Sequence, residues 1–128
     1  MKVLLDTHAF LWFVNDDPQL PQRVRDLLED EQTEVYLSLI SAWEIAIKCS
    51  IGKLQVPDPV ESFVAREALQ NDLLLLPLEL RHIGQVEVLP LHHHDPFDRL
   101  LIAQGIVEGI PVVSIDKKFD AYQVKRLW

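Results

Sequence analysis

Apolar and polar residues alternate along this chain in short blocks of two different periods. "KVLL" (residues 2–5) is a continuous apolar run, as expected of a strand covered on both faces, and "THAFLWFV" (7–14) follows as one or two helical turns. After the break "DDPQLP", residues 22–32 carry Val24, Leu27 and Leu28 at helical spacing. "EVYLS" (34–38) reads as a strand, and residues 41–54 read as a helix ending near Gly52. A further helix over 58–72 is opened by Asp58 and Pro59, and "LLLLPL" (73–78) predicts a buried strand with a Pro stop. Residues 79–87 form a short helix and 95–109 a longer one. "PVVSID" (111–116) is then a strand running into a helical turn at "KKFDAY". Strands separated by helices pair in parallel through right-handed crossovers, which predicts an α/β fold: a three-layer α/β/α sandwich around a mostly parallel central sheet. No internal repeat, low-complexity tract or linker interrupts residues 1–128, which read as one domain.

Four carboxylates stand out against this pattern. Asp6 and Asp116 end apolar strands at their carboxyl ends, the edge where open parallel sheets bind ligands. Glu44 interrupts the otherwise apolar stripe Ile40, Ile47, Ile51, and Asp98 shares a stripe with Leu101, Ile102 and Gly105. Each acid also has an ordinary structural explanation. Asp6 and Asp116 could be helix caps worth about 1 kcal/mol each. Ser41 and Glu44 fit a capping box, and Glu44 with Lys48 fits an i, i+4 pair. "DPFD" is a good helix start, with Asp95 as cap, Pro96 at the first position and Asp98 in the first turn. Capping accounts for helix starts, but not for acids on inward stripes. Carboxylates buried together repel and raise each other's pKa, and a divalent cation among them resolves the conflict. Hard oxygen ligands suit Mg²⁺ or Mn²⁺.

Composition narrows the partners. With 20 acids against 12 bases the formal net charge is −8, which argues against a broad basic face for holding nucleic acid. Metal ions would reverse that sign locally. No apolar run approaches the ~20 residues of a membrane span, and Asp6 comes too early for a secretory signal peptide. Cys49 is the only cysteine, so there is no disulfide framework and a cytoplasmic location is the natural expectation.

"LLDTHAFLWFV", Glu44 in a following helix, "HHHDPFDRLLIAQG" and "VVSIDKKF" together resemble the PIN-domain family, most closely the VapC-like single-domain ribonuclease toxins of bacterial toxin–antitoxin pairs. The resemblance spans nearly the whole chain. It implies Asp6, Glu44, Asp98 and Asp116 as an acidic quartet holding Mg²⁺ or Mn²⁺. Asp95 is the subgroup's additional acid, and Asp98, on the inward stripe, is favoured over it as the ligand. The activity implied is endoribonuclease cleavage of RNA, the ions activating a water and offsetting charge on the phosphate oxygens. A cognate antitoxin and a homodimeric state are implied as partners, with helices 41–70 as plausible contact surfaces.

Other residues take supporting roles. Thr7 and Ser114 place hydroxyls beside Asp6 and Asp116 and could orient a carboxylate or water. Arg99 could clamp a phosphate or pair with Asp95. His92, His93 and His94 lie consecutively in an extended segment and cannot all face one ion. With no second His or Cys cluster, a structural or substrate-side role is expected for them. Lys117 and Lys118 are candidate RNA contacts. Two other classes remain open. A different α/β phosphoryl-transfer enzyme, such as a dehalogenase-type phosphatase, would need Asp-x-Asp after the first strand, where this chain has Asp6, Thr7, His8. A catalytically inactive RNA- or protein-binding module of the same fold would be favoured by an incomplete quartet, and this one is complete.

Overall fold

The first apolar run becomes the central strand of the sheet because three successive side chains, Val3, Leu4 and Leu5, are wholly excluded from solvent on its two faces. The computed structural model describes residues 1–128. In chain order the elements are β1 (Lys2–Leu5), α1 (Thr7–Val14), α2 (Gln22–Glu29), β2 (Glu34–Ser38), α3 (Leu39–Ser50), α4 (Val60–Gln70), β3 (Leu73–Leu76), α5 (Leu80–Glu87), α6 (Pro96–Glu108), β4 (Val112–Val113), a 3-10 turn (Lys117–Ala121) and β5 (Arg126–Leu127). The sheet runs β3-β2-β1-β4-β5, and every neighbouring pair is parallel.

The pleat of β1 divides the core in two. Val3 and Leu5 pack with Phe10, Phe13, Val24, Ile45 and Phe63 under α1 to α4. Leu4 faces the other side and joins Leu101, Ile102, Phe119 and Tyr122 under α6 and the 3-10 turn. These are the outer layers of an α/β/α sandwich. Since the chain leaves β1 toward β2 and later returns on the other side as β4, the strand order reverses between β1 and β4. That is the point where a crevice opens at the carboxyl ends of the strands.

Three local expectations change. First, α3 begins at Leu39 because Ser38, the last residue of β2, is itself the cap and its Oγ accepts from the Ile40 amide at 3.0 Å. Ser41 and Glu44 are therefore inside the helix, and the capping box they could have formed is absent. Second, the run 73–78 is an edge strand rather than a buried one. Leu73 and Leu76 face inward, while Leu74 and Leu75 are each 45% exposed, since β2 is its only neighbour. Third, strand pairing at 111–116 is confined to Val112–Val113, and the sequence gives no apolar run to announce β5.

Buried polar groups tie the layers together. The Ser38 hydroxyl donates to Gln104 Oε1 at 2.5 Å, joining the end of β2 to α6. His82, fully buried, accepts from the Glu79 amide at Nδ1 (3.0 Å) and so donates through Nε2 to Glu108 Oε2 (2.8 Å), locking α5 to α6. On α6, Gly105 allows the close approach of β4. A Cβ there would lie 2.8 Å from Val124 Cγ2 and 3.0 Å from Val112 Cγ2. Gly105→Val is therefore expected to destabilise the fold by about 2–3 kcal/mol through overpacking, measured by urea denaturation; an unchanged midpoint would contradict this account of helix–sheet packing.

Candidate active site

Three acids near the carboxyl edge of the sheet each cap the segment that follows them with one carboxylate oxygen. Asp6 caps α1, its Oδ1 accepting from the Ala9 amide at 2.8 Å. Asp116 caps the 3-10 turn, its Oδ1 accepting from the Lys118 amide at 2.9 Å. Oδ2 of Asp116 is left 3.0 Å from His93 Nε2. Asp95 caps α6 through Oδ1, which accepts from the amides of Phe97 (2.8 Å) and Asp98 (3.2 Å). That cap aims the first turn of α6 so that Asp98 Oδ2 lies 3.1 Å from the same His93 nitrogen. Asp95 thus sits at the helix start and Asp98 in the cluster.

Glu44 enters from the other side of the crevice. It is buried, and both of its oxygens are taken: Oε1 accepts from Thr7 Oγ1 at 2.6 Å, and Oε2 pairs with Lys48 Nζ at 2.8 Å. Ser41 Oγ lies 3.0 Å from the Thr7 oxygen and completes this buried group. Thr7 therefore holds Glu44 in place. Ser114 is fully buried and accepts the Asp116 amide at 3.0 Å, while its hydroxyl favours the charged form of Asp6.

His93 is the functional candidate that sequence reasoning set aside. Its Nδ1 accepts the Asp95 amide at 3.2 Å, which places the ring proton on Nε2, shared between Asp98 and Asp116. Ligand atoms of His93, Asp98 and Asp116 lie within 4.8 Å of one another. The signal available in the sequence was alternation: in an extended segment the middle of three histidines faces away from the other two. His92 instead packs its ring edge-to-face on Tyr122, and His94 is exposed. The Tyr122 hydroxyl accepts from the amides of His92 (3.0 Å) and His93 (2.7 Å), which fixes the segment.

Arg99 has a different place from either expectation. Its guanidinium turns away from Asp95 and donates to the Pro90 carbonyl at 3.0 Å, with longer contacts of 3.4 Å to the carbonyls of Val86, Leu89 and His93. It fastens the loop before α6 and is not free to clamp a phosphate.

The electrostatics reflect crowding. Burial pushes Asp98 up to about 7, and the neighbouring charges of Asp95, Asp6, Glu44 and Asp116 push in the same direction. Burial also raises Asp6, opposed by the Ser114 hydroxyl, the Ala9 amide and His8, and assisted by Glu44. Asp98 therefore lies within the fields of Asp6, Glu44 and Asp116, and Asp6 within that of Glu44. A set of hard carboxylate oxygens with an excess of negative charge fits a divalent cation such as Mg²⁺ or Mn²⁺, and His93, which carries its proton on Nε2, serves as a donor to those carboxylates. A second group, Glu79, His82 and Glu108, is already compensated: Arg81 pairs with both glutamates (2.9 and 2.6 Å) and His82 donates to Glu108.

The PIN domain family profile matches residues 3–125. Over 40 residues the chain is 45% identical to Ribonuclease VapC16 of Mycobacterium tuberculosis, a stretch that takes in 31% of this chain and 28% of that protein's length. The fold superimposes on VapBC2 from Rickettsia felis bound to a DNA fragment from its promoter, with a TM-score of 0.75 and 16% identity, covering 99% of this chain and 98% of that one. It is likewise similar to DNA-bound VapBC from Salmonella typhimurium, with a TM-score of 0.71, 16% identity, and coverage of 99% and 97%.

The raised Asp98 pKa has a measurable consequence in metal-free protein. The folded state keeps the Asp98 proton up to about pH 7, whereas the unfolded chain releases it near 4. Folded protein binds more protons between those limits, so stability falls as pH rises through that window. Thermal melts in EDTA at pH 5 and pH 8 are expected to show this loss, on the order of 2–4 kcal/mol, and Asp98→Asn should remove most of it. Equal pH dependence in the two proteins would contradict the crowding.

Proposed function

The chain belongs to the PIN domain family, and from that premise we propose that it is a metal-dependent endoribonuclease, the toxin of a toxin–antitoxin pair. The observation that supports this reading best is that Asp98 and Asp116 meet on one nitrogen of His93 while the charges of Asp6 and Glu44 also act on Asp98. Asp6, Asp98 and Asp116 would hold Mg²⁺ or Mn²⁺, with Glu44 beside them. When bound, the cation would supply a nucleophilic water at neutral pH and offset charge on the phosphate.

The chain's own residues supply positioning. The caps at Asp6, Asp95 and Asp116 fix each carboxylate by a backbone amide, so no rotamer search is needed when substrate arrives. Thr7 and Lys48 hold both oxygens of Glu44, and Lys48 offsets its charge. His93 keeps Asp98 and Asp116 on one donor and orients them as a pair.

The partner surface is read from exposed apolar area. Leu39, Trp43 and Leu75 are exposed around a groove of about 420 Å³ between α3 and α4, lined also by Ala42, Val60 and Val64. Its lining is almost entirely apolar, as at protein-binding sites. The structures named above are of VapBC, the second protein of which supports an antitoxin as occupant. No helix is long and apolar enough to cross a membrane, and we place the activity in the cytoplasm, acting on RNA, with a homodimer as the assembled form.

Asp6→Asn and Asp98→Asn are expected to lower RNA cleavage by roughly 100-fold or more, since several kcal/mol of charge stabilisation depends on the bound cation. Saturating Mg²⁺ or Mn²⁺ should raise the melting temperature of the parent, and much less that of the Asn variants. Parental cleavage rates in both variants would overturn the assignment.

A further inference from the structure

A second cleft, of about 330 Å³, is linked to the acid cluster through the two partners of Glu44. Thr7 and Lys48 occupy the Glu44 oxygens and also line the cleft. Its volume falls at the lower end of the ~300–1,000 Å³ typical of small-ligand sites. Leu11, Trp12, Leu54, Val56 and the buried Phe63 give it an apolar interior. Polar groups of His8, Asn15, Gln55 and Lys53 stand exposed around it.

The sequence builds this cleft through the end of α3. Gly52 takes φ +76°, the left-handed conformation, and the helix closes with a paired turn. The Gly52 amide donates to the Cys49 carbonyl (3.2 Å) and the Lys53 amide to that of Lys48 (2.9 Å). This brings the Lys53 backbone back to that of Lys48, and both lysines line the cleft, Lys48 paired with Glu44 and Lys53 exposed, in a chain of net charge −8. On the far side His8 leans on Trp12, with ring centroids 5.8 Å apart, and Trp12 is braced by Trp128 at 5.9 Å. Asp17 also lines the cleft, its carboxylate occupied by the amide and side chain of Gln19.

We infer that this cleft binds the nucleotide flanking the scissile phosphate of single-stranded RNA, with its base against Trp12 and the apolar interior and its phosphate at Lys48 and Lys53. An aromatic platform beside basic groups is the arrangement by which unpaired bases are held, and stacking accepts any base. Asp17 repels phosphate and thereby keeps the backbone on the lysine side. Asn15 and Gln55 offer amide donors and acceptors to the edge of the base. The inference rests on the ribonuclease reading and adds to it the location of substrate specificity.

The test separates the two. Lys53→Glu, an exposed substitution, is expected to raise KM for single-stranded RNA at least tenfold with kcat within twofold, and to leave the Mg²⁺-induced rise in melting temperature unchanged. In an Asp98→Asn background, where cleavage is lost, a single-stranded RNA trinucleotide should quench tryptophan fluorescence, and adding Trp12→Phe should abolish the quench. If the parent cuts RNA while Lys53→Glu keeps the parental KM, the subsite is overturned and the nuclease stands. If Lys53→Glu weakens binding of the protein partner and not of RNA, the cleft belongs to that partner and the inference fails. A parent that neither binds nor cuts RNA overturns both.

Discussion

Like charges held close together are the constraint around which this molecule is arranged. Two carboxylates 4 Å apart repel by about 4 kcal/mol at an effective dielectric of ~20, and here several meet at one crevice. The chain meets that repulsion with fixed points. Two acids are positioned by parallel strands, one by an N-cap, and one by a helix that begins without any loop after its strand. Hydrogen bonds from the backbone hold single oxygens, and His93 holds two carboxylates with one proton. Asp98 bears one consequence, retaining its proton to about pH 7, and Asp6 is raised as well.

Structural roles therefore fall on the same residues that the proposed site would use. Asp6 and Asp116 cap the segments that follow them, and each does so with a single oxygen, so capping leaves the second oxygen of the carboxylate available. Asp95 and Asp98 divide the work at the start of α6, one shaping the helix and the other projecting from it. Thr7 acts at a further remove, through Glu44.

How much of this could be read from the residues depended on which periodicity carried it. The layer order and nearly every element followed from alternating apolar runs and helical stripes, and Glu44 and Asp98 were visible as acids on inward stripes. Asp6 and Asp116 were visible as strand ends. What escaped was set by long-range placement. The edge position of β3, which exposes Leu74 and Leu75, depends on sheet order. The two-residue strand β5 has no pattern of its own. Arg99 was read by its charge, but its partners are carbonyls from the preceding loop, whose path no local spacing reveals. His93 was hidden among identical neighbours, distinguished only by which way an extended chain turns each side chain.

The pairing of β1 with β4 also has a temporal meaning. It joins Leu4 and Leu5 to Val112 and Val113, contacts among the most distant in sequence that the sheet contains. Such non-local pairing forms late, because a long loop of chain must be closed before the contact rewards it. During synthesis Asp6 emerges well before Asp116, so a growing polypeptide carries the first carboxylate for a long stretch before the β1–β4 pairing that forms the crevice can close.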